Sequence, residues 1–402
     1  MRDAALPRPL TTSVIGSWSV PDWLERAKTG VYHGSVSHTQ LTDMHDMAVK
    51  AALKDQESAG VDVVTDGELR RDNDVDHLLA RVPGVVVREP VKAFYFDYLD
   101  LELPTRIADV EPAPLGLAAD LSFTRAYTRR PVRFSVTGPF SLSRRLRSPA
   151  YPDRADLVRD LARVLNAEAR ALADAGAELL QIDEPFLAGN PEHVELAVEA
   201  VNTVVKDVPV TWALHVCYGN RYARPLWEGH YDFLFPAVLH ADVDQLLLEF
   251  ARKGDDDLAL VTRYGWDRVL GVGVLDVKTP EVETVPTIER RIERALRVVP
   301  PERLLVTPDC GLRHLPASAA RAKLRAMTAA ATAVRDRIYG SATDASPPGS
   351  VISRSSSPAC RTVSGCTRSG LPSRTTMPTH TSCSRCSSRT SWPSAGEPGS
   401  TT

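Results

Sequence analysis

The sequence is short of the features that would place it in several common classes. No apolar run is long enough to span a bilayer. The opening stretch, Met1-Arg-Asp-Ala-Ala-Leu-Pro-Arg-Pro9, lacks the apolar core of a signal peptide. Charge of one sign is scarce too: 48 Lys and Arg face 51 Asp and Glu, a net charge of −3. Nothing in that balance points to a nucleic-acid or membrane partner. Cysteine is sparse, with six in 402 residues, and only Cys217 and Cys310 fall in the well-patterned part. These absences predict a cytoplasmic protein, where grouped cysteines serve metal binding or catalysis rather than disulfides.

What is present is the composition of a globular protein, 43% hydrophobic and 25% charged. The length could hold one large barrel or two to three ordinary domains. Apolar runs of strand length recur at residues 11–17, 61–66, 132–137, 178–183, 208–214, 245–249, 269–275 and 304–307. Helical patterns separate several of them, at 37–60, 153–176, 190–205, 287–299 and 317–339. Alternation of this kind over eight strands predicts a closed (β/α)8 TIM barrel, with an open doubly wound sheet as the alternative. No Gly-rich phosphate fingerprint supports the alternative. Residues 82–128, irregular and carrying Phe94-Tyr95-Phe96, read as an insertion between strands 2 and 3, with room for a hairpin and service as either a lid or a packed connector.

The barrel reading fixes where chemistry belongs, because active sites of such folds sit at the strand C-termini. His215 and Cys217 lie two residues apart at the end of the fifth run, so in a strand they share a face. Glu249 ends the sixth run, and Cys310 follows the eighth. One imidazole, two thiols and a carboxylate suit zinc. Taken singly, a buried cysteine is usually just a small apolar residue. The convergence of candidates on strand ends is what lifts them above that. Ser17, Glu68 and Asp183 end runs of the same barrel, and Glu184 reads as a support that pairs with an Arg or with backbone.

From about Ser341 the composition shifts to Ser, Thr, Pro and Arg, as in Ser355-Ser-Ser-Pro358 and Ser382-Cys-Ser-Arg-Cys386. The expected organisation is a catalytic barrel over 1–340 and a disordered tail over 341–402, too poor in large apolar residues to offset its ordering entropy. The pair Cys383-x-x-Cys386 has no second pair to complete a zinc knuckle.

Several motifs, taken together, resemble the C-terminal catalytic barrel of cobalamin-independent methionine synthase. They are Ile15-Gly-Ser17, Asp66-Gly-Glu68, Thr137-Gly-Pro139, Gln181-Ile-Asp-Glu-Pro185, His215-Val-Cys217, Glu249 and Pro308-Asp-Cys-Gly311, spread over about Thr11 to Ala330. The resemblance implies that His215, Cys217, Glu249 and Cys310 bind catalytic Zn2+. It also implies that Glu68 and Asp183 pair with the ammonium of a homocysteine-like thiol and Ser17 with its carboxylate. Zinc coordination turns a thiol into its nucleophilic thiolate.

The chain departs from the family pattern in three places. No additional N-terminal barrel is present, Phe140-Ser-Leu-Ser-Arg-Arg145 stands where a folate-stacking Trp is expected, and Lys278 stands where the family has a catalytic His. A lysine there can serve as a proton donor or an anion partner. The expected reaction is zinc-dependent methyl transfer to homocysteine, giving methionine, with Lys278 and Asp183 as catalytic residues. The expected donor is methylcobalamin, a corrinoid protein or a small specialised compound rather than polyglutamyl folate. The alternatives are a zinc-dependent thiol transferase acting on an epoxide, a metal-free uroporphyrinogen decarboxylase-like enzyme, and a non-catalytic binding barrel.

Overall fold

The fold was analysed in a computed structural model, which describes residues 6–90, 99–110 and 113–340. The tail, with Cys383 and Cys386, and the aromatic group Phe94-Tyr95-Phe96 lie outside them. An antiparallel pair comes first, β1 (Val86–Pro90) with β2 (Leu99–Glu102). Six parallel strands follow in sequential order: β3 (Arg133–Thr137), β4 (Leu179–Asp183), β5 (Thr211–Val216), β6 (Gln245–Leu248), β7 (Val269–Leu275) and β8 (Leu304–Pro308).

Two short segments close this sheet on itself. Residues 11–17 bridge to β8 through Thr12 and Val306, and to residues 61–67 through Ser13 with Val63 and Ser17 with Gly67. Val64 then bridges to Val132, at the edge of β3. The result is a barrel of eight parallel positions, two of them held by isolated bridges rather than full ladders. A side chain competes for part of the missing ladder: Asp62 accepts from the Thr12 amide and hydroxyl at 2.9 and 3.0 Å.

Helices wrap the barrel, and the sequence specifies their ends. Ser37 caps the helix His38–Ser58 through a capping box with Gln40. Asp153 caps Arg154–Asp174 by accepting from the Ala155 amide at 2.9 Å. Helices Asp22–Tyr32, Ala118–Ala126 and Leu258–Tyr264 form where the sequence reading placed none. The segment around Tyr231 resolves into two 3-10 turns, Tyr231–Leu234 and Ala237–His240. Among the described residues, no helix is long and apolar enough to cross a membrane.

Strand parity divides the core. Trp212, Leu214 and Val216 of β5 face the helices and join the large apolar cluster. Ala213 points inward with Ile15, Leu247, Val269 and Leu305, which form a small second cluster inside the barrel. Two residues further along the same inward face comes His215, and two beyond that Cys217. The same parity carries Gln181 to Asp183 on β4 and Leu247 to Glu249 past β6. The barrel interior therefore sets an apolar patch beside the buried Arg133, Gln181 and Gln245, and the candidate site residues follow one strand repeat further along.

Candidate metal centre

His215 lies inside β5, and Cys217 immediately follows it. Both are buried, at 3% and 2% exposure. Cys310 arrives from the end of β8, and its Sγ lies 3.7 Å from that of Cys217. The imidazole nitrogen and the two sulfurs all fall within 4.8 Å of one another. A tetrahedral zinc with Zn–S bonds of about 2.3 Å would set two sulfurs roughly 3.8 Å apart. Both cysteines are free thiols.

The imidazole is aimed by its second nitrogen. Asp183 Oδ1 lies 2.7 Å from His215 Nδ1. That contact puts the ring proton on Nδ1 and leaves the Nε2 lone pair facing the cluster. Nε2 is buried and has no protein hydrogen-bond partner. A carboxylate behind a ligand histidine is the usual arrangement at metal sites. Asp183 is itself held by the Gln181 amide at 2.7 Å, and Gln181 accepts from the buried Arg133 guanidinium at 3.0 Å. Without a metal, protons hold the cluster together. Burial pulls the His215 pKa down, but the bond to Asp183 and the neighbouring Cys310 sulfur raise it more, to about 10. The hydrogen bond to Cys217 and burial push the Cys310 thiol well above its ordinary value. Metal entry must expel these protons. The donor set, its spacing and the orphaned Nε2 fit a zinc ion.

Glu249 does not join this trio. It is wholly buried, and both its oxygens lie 3.0 Å from the Lys278 ammonium. Its Oε1 also accepts from the Tyr218 amide at 3.2 Å, beside Cys217 in the chain. Burial pulls the Lys278 pKa down, while Glu249 and the two thiols push it up further, so the net shift is upward. Asp309, which sequence reasoning passed over, anchors this corner by accepting from the Phe250, Ala251 and Arg252 amides at 3.0, 2.8 and 3.0 Å.

The trio opens on a cleft with a cavity volume of about 140 Å3. Ser17, Glu68 and Asp183 line it together with His215, Cys217 and Cys310, whereas Glu249 and Lys278 stay behind the wall. Glu68 sits at a left-handed φ of 54°, after Gly67 at 71°. The Ser135 hydroxyl donates to Glu68 at 2.5 Å and Arg71 lies 3.5 Å away. Burial raises the Glu68 pKa, which Arg71 partly offsets and Asp183 and Asp74 increase, leaving it at about 7. Asp74 lines the cleft as a third carboxylate, with its own pKa raised by burial and by Asp183. A Cβ on Gly311 would come within 2.0 Å of the Ser17 hydroxyl, so only glycine lets that loop lie against Ser17. Arg313 and Asn220 complete the wall, and Asn220 donates to the Gly311 carbonyl at 2.9 Å. No motif marked Asp74, Asn220 or Arg313 in advance. Glu184 is a support: it accepts from the Phe140 and Ser141 amides and the Ser141 hydroxyl at 3.1, 2.8 and 2.6 Å.

Fold and site together define a parallel α/β barrel with an acidic cleft at its rim and a His/Cys/Cys group that could hold a metal ion. The family profile of the cobalamin-independent synthase catalytic domain matches residues 10–333, and the chain belongs to that family. A methionine synthase of Saccharolobus islandicus is 35% identical over 331 residues, 82% of this chain and 96% of its own length. Among solved structures, a B12-independent methionine synthase from Shewanella sp. W3-18-1, in complex with selenomethionine, superposes with a TM-score of 0.72 at 25% identity. That match covers 82% of this chain and 99% of the Shewanella chain. A methyltransferase from Methanosarcina mazei shares the fold at 15% identity and a TM-score of 0.56, over 83% of this chain and 95% of its own. The corrinoid donor expected from the sequence finds no support among these relatives.

Proposed function

We propose that this chain is a zinc-dependent methyltransferase that moves a methyl group onto the thiol of homocysteine, giving methionine. The observation that carries the reading is the trio of a His215 ring nitrogen, Cys217 Sγ and Cys310 Sγ within 4.8 Å, open to a cleft lined by carboxylates. In this reading those three residues hold the ion. Bound zinc would supply a Lewis acid that keeps the incoming thiol as thiolate at neutral pH.

The remaining groups bind and orient the substrate. Glu68, Asp183 and Asp74 make one wall of the cleft anionic, which suits an ammonium group. Ser17, beside Cys310 and Gly311, offers its hydroxyl to the carboxylate end. Asp183 fixes the tautomer and orientation of His215 while facing the same cleft. Methionine synthases among the relatives, one in complex with selenomethionine, support homocysteine as the acceptor. The methyl donor is a compound other than polyglutamyl folate, since the stretch after Gly138-Pro139 carries no aromatic platform beyond Phe140, which is buried.

Metal analysis of the purified protein tests this directly. About one zinc per chain is expected in the wild type, and loss of most of it in Cys310→Ala, with the fold retained by circular dichroism. A folded wild type that takes up no zinc would overturn the proposal.

A further inference from the structure

Arg133 of β3 is a cation in the middle of the barrel, and it is 0% exposed. Its guanidinium donates to Gln181 Oε1 and Gln245 Oε1 at 3.0 Å each, while its Nε is buried without a protein partner. Gln181, Ala213 and Gln245 are register partners on β4, β5 and β6. The two glutamines therefore stand at one level, with only the Ala213 methyl between them. Both bonds of the cation go to neutral amides, and a buried charge held that way is costly. Burial lowers the Arg133 pKa to about 10, and Asp183, on the far side of Gln181, pushes it back up. What the guanidinium fixes is the flip of Gln181. With its oxygen on Arg133, Gln181 turns its amide hydrogens away, and Nε2 donates to the Ile15 carbonyl at 2.6 Å and to Asp183 Oδ1 at 2.7 Å. The reverse flip would set the amide oxygen against both acceptors and its N–H groups against the guanidinium. All three contacts would turn repulsive, so one orientation survives. Asp183 Oδ1 thus receives Gln181 and His215 together, and Oδ2 is the oxygen left for the cleft that Asp183 lines.

We propose that Arg133 is a positioning residue for the substrate amine, acting through the flip of Gln181 to hold the Asp183 carboxylate toward the cleft. Arg133 does not itself line the cleft. The inference rests on the reading that Asp183 takes the homocysteine ammonium, and adds to it the residue that aims the carboxylate. The same strand serves the other carboxylate directly. Ser135, two residues along the inward face of β3, donates to Glu68 at 2.5 Å. One strand thus orients both partners of the amine.

The test is calorimetric binding to the full chain, with zinc supplied, of L-homocysteine and of sulfanylbutanoate, the same thiol without its amine. The readout is the ratio of the two dissociation constants, in which effects on the metal and on the shared thiol cancel. Gln181→Glu keeps an acceptor for Arg133, which holds the new carboxylate ionised, but it faces Asp183 with an oxygen in place of a donor. The preference for homocysteine should fall by about tenfold or more. Arg133→Met, which frees the flip, should lower it similarly. Arg133→Lys loses the same packing but can still donate to Gln181, and should stay within about threefold of the wild type. An unchanged preference in Gln181→Glu would overturn the proposal, as would equal preferences in Arg133→Met and Arg133→Lys. If Arg133→Met does not fold, Gln181→Glu decides alone. A wild type that binds both thiols alike overturns the amine reading and this inference with it. A wild type that prefers homocysteine, with the preference kept in Gln181→Glu, overturns this inference alone.

Discussion

At the scale of single residues, the contact between Asp183 and His215 carries the most chemistry, because one hydrogen bond decides which ring nitrogen faces the sulfurs. At 2.7 Å it is short, and it leaves Nε2 buried and without a protein partner. Asp183→Asn keeps the size but loses the charge that holds the Nδ1 proton. Zinc affinity should fall by about 10- to 100-fold, the usual cost of removing a partner behind a metal-binding histidine. Chelator competition measures it, and an unchanged affinity would show that the carboxylate does not orient the ring. Glu68 gives a pH signature. Its pKa is raised to about 7, so the folded cleft holds a proton on it below that pH. An ammonium binds the ionised form, so binding in acid must expel that proton. Homocysteine affinity should therefore rise with pH up to about 7, by nearly tenfold per unit at most, and then level off. The control is the same thiol without its amine. The ratio of the two Michaelis constants should follow Glu68 rather than the shared thiol chemistry, and a ratio independent of pH would remove Glu68 as the amine's partner.

At the scale of elements, the site is a consequence of strand parity plus a few loops pinned by buried carboxylates. Asp309 shows how the pinning works, with three consecutive amides ending on one side chain. Asp309→Ala should cost about 2–4 kcal/mol, since it orphans several buried donors at once. Asp309→Asn keeps one carbonyl acceptor and should lose less. Urea unfolding distinguishes the two, and equal losses would mean that volume rather than hydrogen bonding matters there. The same physics explains what could be read from the sequence. His215 and Cys217 were legible because a two-residue spacing has one meaning in a strand. The helix Ala317–Tyr339 was legible because it is rich in strong helix formers such as Ala, Arg and Met. Residues 11–17 and 61–66 read as strands by composition, but side chains such as Asp62 take part of the ladder and leave only bridges. The helix Asp22–Tyr32 was missed because it buries Glu25 and Lys28, residues that pattern reading assigns to solvent. Glu249 shows the limit most clearly. Its place at the end of the sixth run makes it a candidate ligand, but its contact with the Lys278 ammonium at 3.0 Å is a matter of side-chain geometry. No spacing rule expresses that.

At the scale of the whole molecule, the question is which part of the chain the chemistry needs. The family match ends at residue 333, and the helix Ala317–Tyr339 ends the described residues. That helix cannot be shortened safely. Leu324, Met327, Ala331 and Val334 are buried against the barrel, and Arg335 donates to the Pro9 and Leu10 carbonyls at 2.9 Å, tying the helix to the first barrel segment. Residue 340 is therefore the earliest sound place to cut. A chain of residues 1–340 should bind zinc with the wild-type stoichiometry and melt within about 2 °C of the full chain, which corresponds to under about 1.5 kcal/mol for a protein of this size. Added zinc should raise the melting temperature of both by the same amount, because the stabilisation depends only on free metal and the affinity of the native site. A truncated chain that melts well below the full one, or responds differently to zinc, would assign residues 341–402 a part in the barrel. Among the described residues, the cleft, the His215, Cys217 and Cys310 trio and the supports behind them come from residues 11–314, which is why the cut at 340 should leave them intact.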